Sequence, residues 1–205
     1  RSGGGPNHRE PGSWSRSGGR QRAVVTMAAR APRRLGVERR KLQAEAEGDG
    51  KEGEGEPWFS LGDDDDTYKW VITILGPKEY AVNPDAEAEA RGERRPSPYA
   101  DAMFQVQFDF SPSYPMVPPK VKFLTPVYHP NIRQTGAEAG QMCADFVTKT
   151  WKPSDSVKGV LEKMVALLAM PNPDEPLESD IARQMQTDID AFDRAAKALV
   201  DRHAA

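Results

Sequence analysis

The sequence predicts an α+β domain in which an N-terminal helix leads into a four-stranded antiparallel meander and then a helical C-terminal third. Three observations carry this. A helix-compatible stretch comes first, four short β-type segments follow between residues 58 and 124, and apolar residues recur at helical spacing from Val157 onward. With 205 residues the chain has room for one domain of roughly 150 residues plus appendages, enough to bury a sizeable core.

Residues 1–32 are rich in Gly, Ser, Arg and Pro and are expected to form a disordered basic tail. The first methionine is Met27, so the residues upstream of it are expected to be an extension from an expression vector or gene prediction, and no fold reasoning rests on them. The folded core is expected over 33–205. Arg33 to Glu47 is helix-compatible, with Leu35, Arg39 and Leu42 one and two turns apart. Charge reverses along this region: eleven basic residues against two acidic ones up to Lys41, then ten acidic residues against Lys51 alone from Glu45 to Asp66. On charge alone, a solvated helix face and loop are the favoured reading, and Gly48 to Gly55 reads as a flexible connector.

Four strands are expected at Trp58 to Leu61, Tyr68 to Leu75, Met103 to Phe110 and Val121 to Leu124. The third shows the period-two alternation of Phe104, Val106, Phe108 and Phe110. Pro77 to Pro98 reads as a long loop or weak helical excursion at a hairpin tip. Val157, Val160, Leu161, Met164 and Leu168 form a wide apolar stripe, with Ser154 or Asp155 to cap its helix and Pro171 to stop it. Ile181 to Leu199 continues the periodicity, with a break near Thr187 that divides it into two closing helices.

Composition excludes several functions. The chain is 38% hydrophobic and 29% charged with net charge -3, so there is no global basic field for nucleic acid. Nothing approaches the roughly 18 apolar residues needed to cross a bilayer, so no membrane partner is expected. Cys143 is the only cysteine, which rules out an internal disulfide and suits a reducing cytoplasmic or nuclear setting. Taken alone, it would more often be a buried, inert thiol than a nucleophile.

The motifs around Cys143 reverse that preference. Trp70 to Pro77, Ser97-Pro98-Tyr99, Tyr114-Pro115-Met116-Val117-Pro118-Pro119-Lys120-Val121, Tyr128-His129-Pro130-Asn131-Ile132, Cys143-Ala144-Asp145, Trp151-Lys152-Pro153 and Pro171-Asn172-Pro173-Asp174-Glu175-Pro176-Leu177 occur in order and mostly in spacing. Together they resemble the ubiquitin-conjugating enzyme family over roughly residues 33 to 205. The resemblance implies the same α+β fold, with an active-site loop that carries the cysteine. It also implies an enzyme that accepts ubiquitin as a thioester on Cys143 from an activating enzyme and passes it to substrate lysines, usually with a ubiquitin ligase. The alternatives are a conjugating enzyme for another ubiquitin-like modifier, or a non-catalytic ubiquitin-binding scaffold of the same fold. A Cys143–His129 hydrolase is a poorer reading, because the motif order supplies no third group. No cofactor or metal is expected to be bound; ATP is consumed by the activating enzyme.

By the same resemblance Asn131 is the candidate oxyanion donor or loop-shaping residue. Glu175, and after it Asp145, are the carboxylates expected to orient an incoming lysine. His129, Pro130 and Trp151 are expected to be structural, with His129 not a general base. Met116, Pro153 and Ser154 are the expected ligase contacts. Arg33, Arg34, Arg39, Arg40 and Lys41 are the expected activating-enzyme contacts. Tyr114-Pro115 is expected to be cis. Two departures stand out. About four residues more than the family usually shows separate Asn131 from Cys143, an insertion near 133–140 that loosens the expected placement of the oxyanion donor. A second insertion lies near 78–96, and Tyr99 to Ala102 lacks the family's usual glycines. The insertions adapt partner choice or are neutral surface growth, the latter being preferred.

Overall fold

A computed structural model describes residues 30–47, 57–63, 66–81, 94–143 and 145–204. Most of the expected tail, the Gly48 to Gly55 connector and the middle of the 78–96 insertion lie outside the described residues. Helix α1 (Arg30–Ala46) begins three residues before the expected core boundary, because Ala31 extends its apolar stripe one turn below Leu35. Ala31, Leu35, Glu38 and Leu42 are its buried residues.

Strands β1 (Phe59–Leu61), β2 (Lys69–Leu75), β5 (Met103–Asp109) and β6 (Lys120–Phe123) form the expected antiparallel meander in that order. Register follows the alternation: Trp70, Ile72 and Ile74 lie opposite Phe108, Val106 and Phe104, and all six point into the core. A one-residue slip would turn this set to solvent. Helix α3 (Val157–Ala169) packs on the same side and buries Val157, Val160, Leu161, Met164 and Leu168, each contributing about 2 kcal/mol of transfer free energy. Its cap is Ser156, whose side chain accepts the Gly159 N–H, rather than Ser154 or Asp155. The two closing helices are α4 (Ser179–Thr187) and α5 (Ile189–His203). Asp188 separates them, one residue beyond the break expected near Thr187, and caps α5 through Ala191 N–H, while the Thr187 hydroxyl donates back to the Arg183 carbonyl.

The ends of the 78–96 insertion are neither loop nor helix. They form a hairpin base, β3 (Glu79–Ala81) with β4 (Arg94–Pro96). Tyr80 drops into a second apolar cluster with Ile181, Met185 and Phe192, while its hydroxyl donates to Asp193 at 2.5 Å. Arg95 pairs with Asp190 and Asp193 at 2.7 and 2.9 Å. Where the family's glycines are missing, Asp101 takes φ 60°, a conformation that Asp tolerates better than most side chains. Gly76 packs against this turn so closely that a Cβ would lie 2.0 Å from the Tyr99 carbonyl oxygen.

Candidate active site

Between β6 and α3 the chain folds back on itself as a narrow hairpin, and this sets the geometry of the site. Ile132 and Met142 form an antiparallel bridge, and Arg133 N–H donates to the Gln141 carbonyl at 2.9 Å. In that register Asn131 lies opposite Cys143. The extra residues are absorbed by the turn, where Gly136 and Gly140 take φ of 80° and 81°. Gly140 also lies tight against β6: its carbonyl accepts the Phe123 N–H, and a Cβ there would meet the Phe123 carbonyl at 1.9 Å. The insertion therefore lengthens the sequence between the two residues without separating them.

Cys143 is exposed at the end of this strip, and its carbonyl accepts the Phe146 N–H as helix α2 (Asp145–Thr148) begins. Asp145 opens that helix on the surface. A groove of about 570 Å³ lies beside the thiol, with Val117, Pro118, Met142 and Phe146 as apolar wall and Lys120 and Lys122 as basic wall.

His129 is fully buried. Its Nε2 lies 3.1 Å from the Leu167 carbonyl, and its Nδ1 accepts the Asn131 N–H at 3.1 Å. A carbonyl only accepts and an amide N–H only donates, so the ring is neutral with its proton on Nε2. Burial pushes its pKa down to about 3. Both ring nitrogens are occupied, and the ring ties the 129–131 turn to the end of α3. Pro130 is buried beside it, and its carbonyl accepts from Leu177 and Glu178 N–H.

Asn131 uses its whole side chain on the neighbouring loop. Nδ2 donates to the carbonyls of Asn172 (2.7 Å) and Glu175 (3.1 Å), and Oδ1 accepts the Asn172 N–H (2.8 Å). In this arrangement Nδ2 donates to two carbonyls of the 172–175 loop. Glu175 is thereby tied by its backbone to the residue opposite Cys143, while its side chain stays exposed.

The residues expected to meet partners sit together on an adjoining face. Tyr114-Pro115 is cis, and the Pro115 carbonyl accepts the Trp151 indole N–H at 2.8 Å. Met116, 70% exposed, leads the loop into solvent beside Val117. Pro153 and Ser154 occupy the Lys152–Asp155 turn and are exposed. Of the basic residues on α1, Arg33, Arg40 and Lys41 are exposed. Arg34 turns inward to Glu38 (2.6 Å) and the Asp155 carbonyl (2.9 Å), and Arg39 reaches the Gly62 carbonyl and the face of Trp70. These two have structural employment that the charge pattern did not signal.

Sequence reasoning missed Glu38. It is 5% exposed; its Oε1 accepts from Arg34 and the Tyr114 hydroxyl, and its Oε2 accepts the Val157 N–H at the start of α3. Three elements, α1, the 114–118 loop and the start of α3, converge on this one carboxylate. The signal was present: Glu38 stands on the buried stripe of α1 between Leu35 and Leu42, where a charged residue needs a partner. Among the described residues no group of three or more His, Cys, Asp or Glu is placed to hold a metal, and no helix is long and apolar enough to cross a membrane.

An exposed thiol on a braced strip, with a carboxylate-bearing loop hydrogen-bonded to the residue opposite, on an α+β scaffold of meander and flanking helices, defines a class of protein in which nucleophilic thiol chemistry is open to the cysteine. Comparison with known proteins gives that class a family. The sequence model described as ubiquitin-conjugating enzyme matches residues 87–200. A Dictyostelium discoideum protein, ubiquitin conjugating enzyme E2 B, is 36% identical over 141 residues, spanning 69% of this chain and 81% of its own. Among solved structures, a Toxoplasma gondii ubiquitin conjugating enzyme E2 domain superposes with a TM-score of 0.61 at 26% identity, covering 84% of this chain and 97% of that one. The chain belongs to the ubiquitin-conjugating enzyme family.

Proposed function

We propose that this protein carries ubiquitin as a thioester on Cys143 and delivers it to lysine amines. The Cys143 thiolate attacks the thioester carbonyl that joins ubiquitin to an activating enzyme; a new carbon–sulfur bond forms, the old one breaks, and the activating enzyme's cysteine departs as thiolate. A lysine amine then attacks the same carbonyl, an isopeptide bond forms, the amine proton is lost to base or solvent, and Cys143 leaves as thiolate. Glu175 orients the incoming amine and assists that proton loss, with Asp145 as the second carboxylate. Asn131 holds the loop that presents Glu175. Met116, Pro153 and Ser154 take a ubiquitin ligase, and exposed Arg33, Arg40 and Lys41 take an acidic surface of the activating enzyme. The protein needs no bound cofactor, because ATP is spent by the activating enzyme, and its reliance on a free thiol suits the cytosol or nucleus.

One observation carries this reading: the exposed Cys143 lies in antiparallel register with Asn131, whose side chain grips the loop bearing Glu175. The test is a charging reaction with ubiquitin, its activating enzyme and ATP, run with and without a reducing thiol. The expected product is a thiol-sensitive adduct that Cys143→Ala abolishes. No adduct with a competent activating enzyme overturns the assignment of ubiquitin, and an adduct that survives in Cys143→Ala overturns the nucleophile.

A further inference from the structure

We propose that Arg133 and Gln134 are positioning residues for the amine-transfer step. With Asn131 and the Pro130 carbonyl they clamp the 172–178 loop, and through it Glu175, against the strip that carries Cys143. The proposal rests on the transfer reading above, and it gives work to residues at the base of the segment that departs from the family's spacing.

Asn131 grips only the first half of the loop, at Asn172 and Glu175. The second half is held from the insertion. Leu177 is fixed at both polar backbone groups: its N–H donates to Pro130 (2.8 Å) and its carbonyl accepts from Arg133 Nη1 (2.8 Å). Glu178 donates its N–H to Pro130 (3.0 Å) and accepts the Gln134 N–H on its carboxylate (3.0 Å). Glu175 therefore lies between two anchors, one at its own carbonyl and one two residues on.

The anchors are themselves held. Arg133 exchanges backbone hydrogen bonds with Gln141 and Gly140 across the hairpin. The Gln134 side chain donates to the carbonyls of Val127 and Ile132, which fixes the N–H it offers to Glu178. The Arg133 guanidinium lies between two carboxylates, Glu138 at 3.9 Å and Glu178 at 4.0 Å. A carboxylate that orients an ammonium works by geometry, so slack in either anchor appears as lost rate at the transfer step.

The test charges Cys143 with ubiquitin, quenches the activating enzyme, and follows discharge onto free lysine across lysine concentration and pH. Arg133→Ala is expected to slow discharge at saturating lysine about tenfold, within the ~10²-fold cost of an ångström-scale misplacement, with little change in the lysine concentration for half-maximal rate. Its pH–rate profile should change as that of Glu175→Gln does, and the double variant should be little slower than Glu175→Gln alone. Arg133→Lys, which keeps one donor for the Leu177 carbonyl, should recover part of the rate. Glu178→Ala cuts the Gln134 arm from the other side and should reproduce the loss even where Arg133→Ala folds poorly.

Wild-type discharge in both Arg133→Ala and Glu178→Ala, or full additivity with Glu175→Gln, overturns the clamp. Hydrogen exchange at the Leu177 and Glu178 amides of the uncharged protein tests it independently of the modifier: faster exchange in Arg133→Ala supports it and unchanged protection overturns it. If the wild-type protein takes no ubiquitin from a competent activating enzyme, it is the transfer reading that fails, so the two failures are told apart.

Discussion

On the face formed by α1, the 114–118 loop and the start of α3, the elements are joined by one buried carboxylate; around Cys143 the joining is spread over many residues. Glu38 accepts from Arg34, Tyr114 and Val157, so one side chain ties three elements. The thiol face divides the same task among His129, Pro130, Asn131, Arg133 and Gln134, largely through backbone carbonyls. A single charged node concentrates stability and fails all at once. A distributed clamp loses little with each bond, and its weak point is the proton that a buried histidine refuses.

Removing the node should have the largest effect. Glu38→Ala leaves the buried Val157 N–H and the Tyr114 hydroxyl without their acceptor and is expected to cost about 3 kcal/mol, at 1–3 kcal/mol for each orphaned group. Urea denaturation measures it. Glu38→Gln, which keeps one acceptor oxygen, should cost less than half as much, and equal losses would show that charge rather than connectivity holds the face.

Acid is the corresponding probe of the thiol face. The folded pKa of His129 is lowered to about 3 from an ordinary 6.5, so above pH 6.5 the ring is neutral in both states and contributes no pH dependence. As pH falls from 6.5 toward 3 the unfolded chain takes up a proton that the folded one excludes, and stability should drop by about 1.4 kcal/mol per pH unit from this group. Denaturation midpoints compared at pH 7 and pH 5 test this. The drop should largely vanish in His129→Gln, and its persistence there would assign the acid sensitivity elsewhere.

Asn131→Ala should cost about 2 kcal/mol, less than the node, because Pro130, Arg133 and Gln134 still grip the loop. Exchange at the Asn172 amide should accelerate more than at Leu177, and equal acceleration would mean that the clamp acts as one unit. The smallest effect is expected at a position outside both faces. Asp101→Gly relieves a left-handed residue and should raise stability by about 0.5–1 kcal/mol, with charging and discharge unchanged.

The meander and α3 were readable because their periods are regular. Alternating Phe104, Val106 and Phe108 admits one register, and the Val157 to Leu168 stripe admits one buried face. Cap positions were read to within one or two residues, since Ser154, Asp155 and Ser156 are all competent caps and only the entry of the chain into the helix selects Ser156. The β3–β4 hairpin was not readable: three residues a side are too few for a period, and its stability comes from Tyr80 and Arg95 reaching α5, about a hundred residues away. Of the candidate site, the residue types around Cys143 were legible from the motifs. Their distances were not, because the bridge between Ile132 and Met142 that restores Asn131 to its place opposite Cys143 depends on pairing rather than on spacing.

That bridge also makes the 135–139 turn a port into the site that is joined to it without belonging to it. Residues 135 to 139 are exposed, and the two hairpin arms fix where they stand relative to the thiol. Turn length is a weak thermodynamic variable, so a few added residues or a dye at Ala137 should leave the arms in register. A fluorophore there would sit a fixed few residue pairs from Cys143 and report occupancy of the thiol in real time, without a label on the modifier.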